Sequence, residues 1–379
     1  MKLKSSQSSV LLASSIHRWN DVRVYHKEAR SLSLNYDVTV IGVGESDDNI
    51  VISKNISVIL LPFPDSILRR IKNAFSILAY GISPKYHLIH FHDPELIWVG
   101  LILRLFRKKV IYDVHEDLKA AVKIRRWVPH LLKNIIGNLA HTVELFGQFF
   151  FTGIIVAEDS YLSNFNNNNH IISVRNYVRI NSSPIVIENK SKRILYTGSV
   201  TIARGVGDLL KAIALLQDYD QEIGAIIIGH CPTSEVELFH ELKDTLPNPN
   251  AVEIVSFIDF EQIQSFVSTC SVAVVPLRGE KNYEYSIPTK ILDYMNWGIP
   301  YIYSRLKLTE ELFGVNSGGI GFDPGNIVQL ENAIHRILTD LNLHKKLTIE
   351  CRNKIHSFNW ISEEAKLFSF YETYLSEEN

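Results

Sequence analysis

Residues 193–205, Arg-Ile-Leu-Tyr-Thr-Gly-Ser-Val-Thr-Ile-Ala-Arg-Gly, pass from a short apolar run through a glycine turn to the start of an amphipathic segment, Val206–Gln217. Arg193–Thr197 reads as a strand and Val206–Gln217 as a helix, so the stretch is one βα unit. Downstream the pattern repeats, with strands expected at Ala225–Gly229, Val252–Phe257, Val272–Leu277, Ile299–Tyr303 and Gly319–Phe322. Helices are expected between them, including Glu261–Thr269 and Ile327–Leu338, the latter with Asn326 as its N-cap. Upstream lies a polar break, Asn181-Ser182-Ser183-Pro184 to Asn189-Lys190-Ser191. Before the break the same alternation runs once already. Its strands are Ser9–Ser14, Asp37–Val43, Ile56–Pro62, Leu88–His92, Val110–His115, Gly153–Ala157 and Ile171–Arg175, and its helices include Asp21–Leu34, Ser66–Tyr80 and Glu95–Arg107. Such alternation predicts two doubly wound, mostly parallel sheets. The expected division is 1–180, a hinge at 181–192, 193–357, and a closing segment at 358–379.

The 379 residues fit two domains of ordinary size, and a hydrophobic fraction of 46% with 21% charged residues fits a globular chain. A net charge of −2 gives no global basic field, so nucleic acid is not an expected partner. Cys231, Cys270 and Cys351 are far apart and odd in number, which suggests neither a zinc spacing nor a disulfide framework and points to a reducing, cytoplasmic setting. The opening residues carry two lysines and an apolar run, Val10–Ala13, too short for a signal peptide. The longest apolar stretch, Phe149 to Ala157, falls well short of the roughly 20 residues a spanning helix needs.

Several strand ends carry polar clusters. The turn at Gly198 and Ser199 allows backbone to approach a phosphate, and Arg204 and Gly205 stand just before the N-terminus of the Val206 helix, where exposed N–H donors favour anions. In Ser286-Ile287-Pro288-Thr289-Lys290-Ile291-Leu292-Asp293-Tyr294-Met295-Asn296-Trp297-Gly298-Ile299-Pro300, Pro288 suits a helix's first turn and Gly298 with Pro300 closes it. Lys290 and Asp293 share one helical face. The lysine suits phosphate and the carboxylate suits ribose hydroxyls, although a surface ion pair explains both equally well.

The stretch Pro288 to Pro300 resembles the family 4 glycosyltransferase signature P-x-K-x-x-E-Y-M-x-x-G-x-P, reading here P-T-K-I-L-D-Y-M-N-W-G-I-P. The glycine loop ending in Arg204-Gly205, the strand closing on Val-Val-Pro-Leu, and the tail Phe358-Asn359-Trp360 to Tyr374 are similar to the same family. The resemblance implies an α/β chain of GT-B fold, with two Rossmann-like doubly wound domains facing a central cleft and the tail crossing back to the first. It implies retaining transfer from a nucleotide sugar to a glycan or lipid-linked acceptor, without a bound metal or other cofactor, in bacterial surface-polysaccharide assembly. Asp293 would contact the donor ribose, Gly198, Ser199, Arg204, Gly205, Tyr285, Ser286 and Lys290 would line the donor, and Arg204 with Lys290 would stabilise the leaving diphosphate. Two positions depart from the pattern. Tyr285 stands where the family has the first glutamate of E-x7-E, with Glu284 one step away, and Ser199 stands where it has a basic residue.

In the first half, Ser15-Ile16-His17-Arg18-Trp19-Asn20-Asp21-Val22-Arg23 resembles the H-x-x-N-D-x-R loop of bacterial family members, so His17, Asn20, Asp21 and Arg23 are expected on the acceptor side. Asp93, in His90-Phe91-His92-Asp93, joins them, though its simplest reading is an N-cap of the next helix. His115, at the end of a strand, matches the family histidine that faces the donor sugar. His90 reads as a strand histidine satisfied inside the fold. His90-x-His92 is also a metal-hydrolase pattern, but that chemistry belongs on a single eight-fold barrel, against which the restarted alternation speaks. A non-catalytic relative that binds nucleotide sugar stays open, given Tyr285 and Ser199. The basic, apolar segment 104–133, with Trp127, reads either as a solvated face or as peripheral contact with the inner face of a membrane.

Overall fold

The computed structural model describes residues 8–45, 53–115, 118, 133–165, 170–180, 191–256, 258, 260–284 and 286–376. The polar break at 181–190, most of the basic segment (119–132), Asn166–Asn169 and Tyr285 lie outside the described residues. The chain divides into two compact units, Met1–Asn176 with Trp360–Asn379, and Tyr177–Asn359.

The first unit is a parallel sheet of seven strands: β1 (Ser9–Arg18), β2 (Asp37–Val43), β3 (Ile56–Leu61), β4 (Leu88–Phe91), β5 (Lys109–Val114), β6 (Gly153–Val156) and β7 (Ile171–Ser173). Their spatial order is β3-β2-β1-β4-β5-β6-β7. Alternate residues of β1 feed two cores, as strand geometry requires. Leu11 and Ala13 pack with Ile77 and Leu103 of two helices, Ile67–Ile82 and Ile97–Leu105. Val10 and Leu12 pack with Trp360, Leu367, Phe370 and Tyr371 of the final helix, Trp360–Leu375. That helix therefore belongs to the first sheet, and the Trp360 indole donates to Ser31 Oγ at 2.9 Å.

The second unit repeats the plan with six parallel strands: β8 (Arg193–Thr197), β9 (Gly224–Ile228), β10 (Val252–Val255), β11 (Val272–Val275), β12 (Tyr301–Ser304) and β13 (Gly319–Phe322), in the order β10-β9-β8-β11-β12-β13. Leu195 enters one core and Ile194 with Tyr196 the other. Both faces of each sheet are covered, which is why these strands read as continuous apolar runs. Two open sheets exclude the single barrel that the His-x-His pattern raised.

Element boundaries follow local chemistry. Asp21 caps its helix, Val22–Ala29, by accepting from the Arg23 and Val24 N–H groups at 2.8 and 3.0 Å, and Asn326 accepts from Gln329 N–H at 3.1 Å. β1 runs four residues beyond its expected end, because Arg18 pairs with Val43 after an irregularity that follows Ala13. His17 is thus a strand residue and not part of a loop. β12 begins at Tyr301, later than expected, because Gly298 and Ile299 still donate to the last turn of the helix Thr289–Trp297. Among the described residues, no helix is long and apolar enough to cross a membrane.

Candidate functional site

In each sheet the strand order reverses at one place, between β1 and β4 in the first unit and between β8 and β11 in the second. Crevices beyond the carboxyl ends of strands at such switch points are where doubly wound sheets bind ligands.

In the second unit this position holds both sequence motifs. The β8 loop turns at Gly198, whose N–H donates to Ile228 O, and Tyr196 OH donates to Ser199 O at 2.8 Å. Gly205 caps the Val206–Gln217 helix with φ +75, and a Cβ there would lie 1.7 Å from Pro276 O. Only glycine allows both the left-handed backbone and this approach to the end of β11. Three contacts join the β8 loop and the helix that follows it to the segment after β11. Arg278 N–H donates to Ala203 O, the Arg204 guanidinium sits 5.8 Å over the Tyr283 ring, and Arg278 forms a two-pronged ion pair with buried Asp208 at 2.9 and 2.7 Å. From the helix Thr289–Trp297, buried Tyr294 OH accepts from Thr197 N–H at 2.9 Å and lies 3.1 Å from Thr197 Oγ1. Residues 97 apart in sequence thereby anchor the two motifs to one strand end.

Lys290 Nζ donates to Asp293 Oδ2 at 3.2 Å, and Asp293 is largely buried. The pair therefore exists, with the carboxylate at the inner end. Gly198 and Ser286 are half-buried in their loops and Ser199 is exposed. Tyr285, expected among the donor contacts, is outside the described residues. Arg278 was missed in the sequence because it follows Val-Val-Pro-Leu in a segment with no helix signal; its position just past a strand end was the available clue. Its charge is matched by Asp208, so it ties the start of the Val206–Gln217 helix to the segment after β11.

In the first unit, β1, β4 and β5 end side by side. Asp93, fully buried, accepts from Ser14 Oγ (2.9 Å), Ser15 N–H (2.5 Å) and Ser15 Oγ (3.0 Å), and His17 Nε2 lies 3.4 Å from its other oxygen. Its side chain makes no capping bond to the following turn. The N-cap reading is corrected: the two serine hydroxyls and a backbone N–H of β1 hold the carboxylate more completely than a cap would. Arg23 is not at a surface. It is buried, forks onto both oxygens of Asp113 at 2.9 and 3.0 Å, donates to Val174 O at 2.9 Å, and lies 3.0 Å from Glu28. His115, partly exposed, lies 3.3 Å from Asp113 and 3.2 Å from His92 Nδ1, with the His17 ring 6.0 Å away. Asn20 is half-buried in the turn that leads to Asp21.

The charges here are strongly displaced. Burial and the adjacent Asp113 push Glu28 well above the usual carboxylate range. Asp113 is raised by burial, yet Arg23 and His115 outweigh that and hold it well below. Burial drives His90 and His92 toward their neutral forms. For Asp21, burial is overcome by His17 and the capping N–H groups, so the carboxylate stays ionised. His90 is satisfied on one side only. Its Nδ1 meets Tyr371 OH at 2.7 Å, whereas Nε2 has no hydrogen-bond partner.

Residues 191–340 match the family of glycosyl transferases group 1. The fold is shared with solved structures across the chain. Sucrose-phosphate synthase from Thermosynechococcus elongatus superposes with a TM-score of 0.74 at 18% identity, covering 98% of this chain and 99% of that one. Anabaena HepE in complex with UDP-glucose gives 0.70 at 15% identity, covering 97% and 99%. The lipopolysaccharide outer core galactosyltransferase WaaB, in its apo form, gives 0.58 at 13% identity, covering 97% and 100%. A search of curated protein sequences found no match. The chain shares the GT-B fold with these structures, and within it residues 191–340 carry the match to glycosyl transferases group 1.

Proposed function

We propose that the protein is a retaining glycosyltransferase that moves a sugar from a nucleotide-sugar donor onto a glycan or lipid-linked acceptor in cell-surface polysaccharide assembly. The observation that carries this reading is the convergence, at the carboxyl ends of β8 and β11, of a glycine loop, Arg204, Arg278 and the N-terminal turn of the helix bearing Lys290 and Asp293. Such a place suits a nucleoside diphosphate, because helix N–H groups and the Arg204 guanidinium would meet an anion without a cation being required, while Arg278, paired with Asp208, holds the loop in place. Asp293 would accept from ribose hydroxyls while Lys290 turns to phosphate. As the donor bond breaks, charge grows on the diphosphate and Arg204 and Lys290 stabilise it. Preorganised charge of this kind is usually the largest catalytic contribution. The acceptor hydroxyl would then attack the face the diphosphate leaves. His115, beside Asp113, would hydrogen-bond the transferred sugar, and His17, Asn20, Asp21 and Asp93 would serve the acceptor side.

The relatives support this direction: HepE is described with UDP-glucose, and WaaB as a galactosyltransferase of the lipopolysaccharide core. A cytoplasmic, membrane-peripheral setting agrees with three unpaired thiols and with exposed Leu105 and Phe106 beside Arg104 and Arg107. Ser199, exposed where the family carries a basic residue, favours one second reading, a relative that binds nucleotide sugar without turning it over.

A thermal-shift screen against UDP, GDP, ADP and their sugars, with and without EDTA, followed by a donor-hydrolysis assay on any hit, separates the two. One nucleotide should stabilise the protein regardless of EDTA, and its sugar should be consumed. Stabilisation without consumption would favour the non-catalytic relative, and no stabilisation by any nucleotide would remove both.

A further inference from the structure

We infer that Glu28, His90, His92 and Asp113 form a site for one divalent cation of the zinc type, buried in the first unit and separate from the donor chemistry. Each residue offers a ligand atom, and the four atoms lie within 4.8 Å of one another. All four side chains are at most 2% exposed. Glu28 Oε2, His90 Nε2 and His92 Nε2 are buried without a hydrogen-bond partner, while Glu28 Oε1 lies 3.0 Å from Arg23 Nε. Dry interiors rarely leave so many polar atoms unmatched in one place. A cation is the ligand that neutral imidazole nitrogens and carboxylate oxygens satisfy together.

The sequence places them by strand geometry. His90 and His92 are two apart near the end of β4 and project from the same face. Their rings lie 4.6 Å apart. Asp113 comes from the neighbouring strand β5, and Glu28 from the helix Val22–Ala29 above that face. His90 Nε2 is 3.7 Å from Asp113 Oδ2, and His92 Nε2 is 3.7 Å from Glu28 Oε2. Tetrahedral zinc with bonds of about 2.0–2.1 Å spaces its ligands roughly 3.3 Å apart, so the two 3.7 Å pairs need to contract by only a few tenths of an ångström, while the widest separation, within 4.8 Å, has further to close as the ion draws the side chains in.

The surroundings are those of held ligands. Metal-bound histidines are oriented through their other ring nitrogen. His90 Nδ1 meets the Tyr371 hydroxyl at 2.7 Å and His92 Nδ1 faces His115 Nε2 at 3.2 Å, which turns both Nε2 atoms inward. Asp113 is fixed by the Arg23 fork, and an ionised carboxylate keeps lone pairs beyond those bonds. Arg23 offsets one carboxylate, and the other remains to offset part of the cation's charge. Mixed imidazole and carboxylate donors suit zinc and its first-row neighbours, whereas magnesium prefers oxygen ligands and retained water. A closed four-ligand shell is structural in character, bracing β4, β5 and the Val22–Ala29 helix. The route in passes His115, the partly exposed neighbour of His92.

The test strips the full-length protein with a chelator and titrates it with ZnCl2, CoCl2 and MgCl2. One zinc per chain should survive desalting, raise the melting temperature, and be displaced by cobalt with the intense visible absorption of a four-coordinate ion. Magnesium should do none of these. Glu28→Gln and His92→Gln, checked for native circular dichroism, should each weaken zinc binding at least tenfold. If wild type retains no zinc, or both folded variants bind it undiminished, the site does not exist. Should the variants not fold, the wild-type cobalt spectrum decides: a four-coordinate spectrum supports the site, and a weak six-coordinate one overturns it.

Discussion

The Tyr294 hydroxyl accepts the Thr197 N–H at 2.9 Å inside the second unit, tying the helix Thr289–Trp297 to the last residue of β8. Through this one bond the two motifs that suggest a donor site share an anchor. Tyr294→Phe should leave the Thr197 N–H buried and unpaired, costing about 1–3 kcal/mol. The cost is read by denaturant unfolding, together with weakened nucleotide affinity. Full stability in the phenylalanine variant would show that water or a shifted loop replaces the bond.

Gly205→Ala meets two penalties at once, a left-handed φ of +75 and a Cβ 1.7 Å from Pro276 O. The backbone contribution alone is about 1–2 kcal/mol. The loop must also move away from β11, so lost nucleotide binding should exceed the loss of melting temperature. Equal losses in both would mark Gly205 as structural alone.

Arg23 is the sole guanidinium bonded to Asp113 among the described residues, and Glu28 lies on its other side. Removing one partner of such a buried pair costs about 3–5 kcal/mol. Arg23→Met should therefore unfold at much lower denaturant, while the exposed Arg305→Met should change little. Equal effects of the two would mean that the buried fork contributes nothing special.

His344 Nε2 lies 2.9 Å from Ser271 O, and burial lowers its pKa from 6.5. A histidine held neutral binds fewer protons folded than unfolded between its two pKa values. It therefore subtracts stability as pH falls below about 6.5 and has no effect above. Unfolding free energies of wild type and His344→Gln should converge toward acid pH, relative to their difference at pH 8. A constant difference across that range would remove His344 from the acid response.

Much of the fold was legible because buried parallel strands announce themselves as β-branched runs: Asp37–Val43, Arg193–Thr197 and Gly319–Phe322 match the structure to the residue. Caps at Asp21 and Asn326 were equally readable, since short side-chain acceptors act locally. What depends on distant partners was not. Asp93 looked like a cap because Ser14 and Ser15, which hold it, lie 79 and 78 residues away. Arg23 reads in the sequence as an acceptor-side residue because nothing near it reveals Asp113, 90 residues on. His90 was half legible, its Tyr371 partner coming from the final helix. Arg278 carried no motif and gained meaning only when the β11 end met the β8 loop.

The most direct test is calorimetric titration of the stabilising nucleoside diphosphate into wild type, Arg204→Ala and Asp293→Asn, each verified as folded. Binding at one site per chain, weakened at least tenfold by both substitutions, is the expected result. Unchanged affinity in both variants, or no binding by wild type, would contradict a donor site at the ends of β8 and β11.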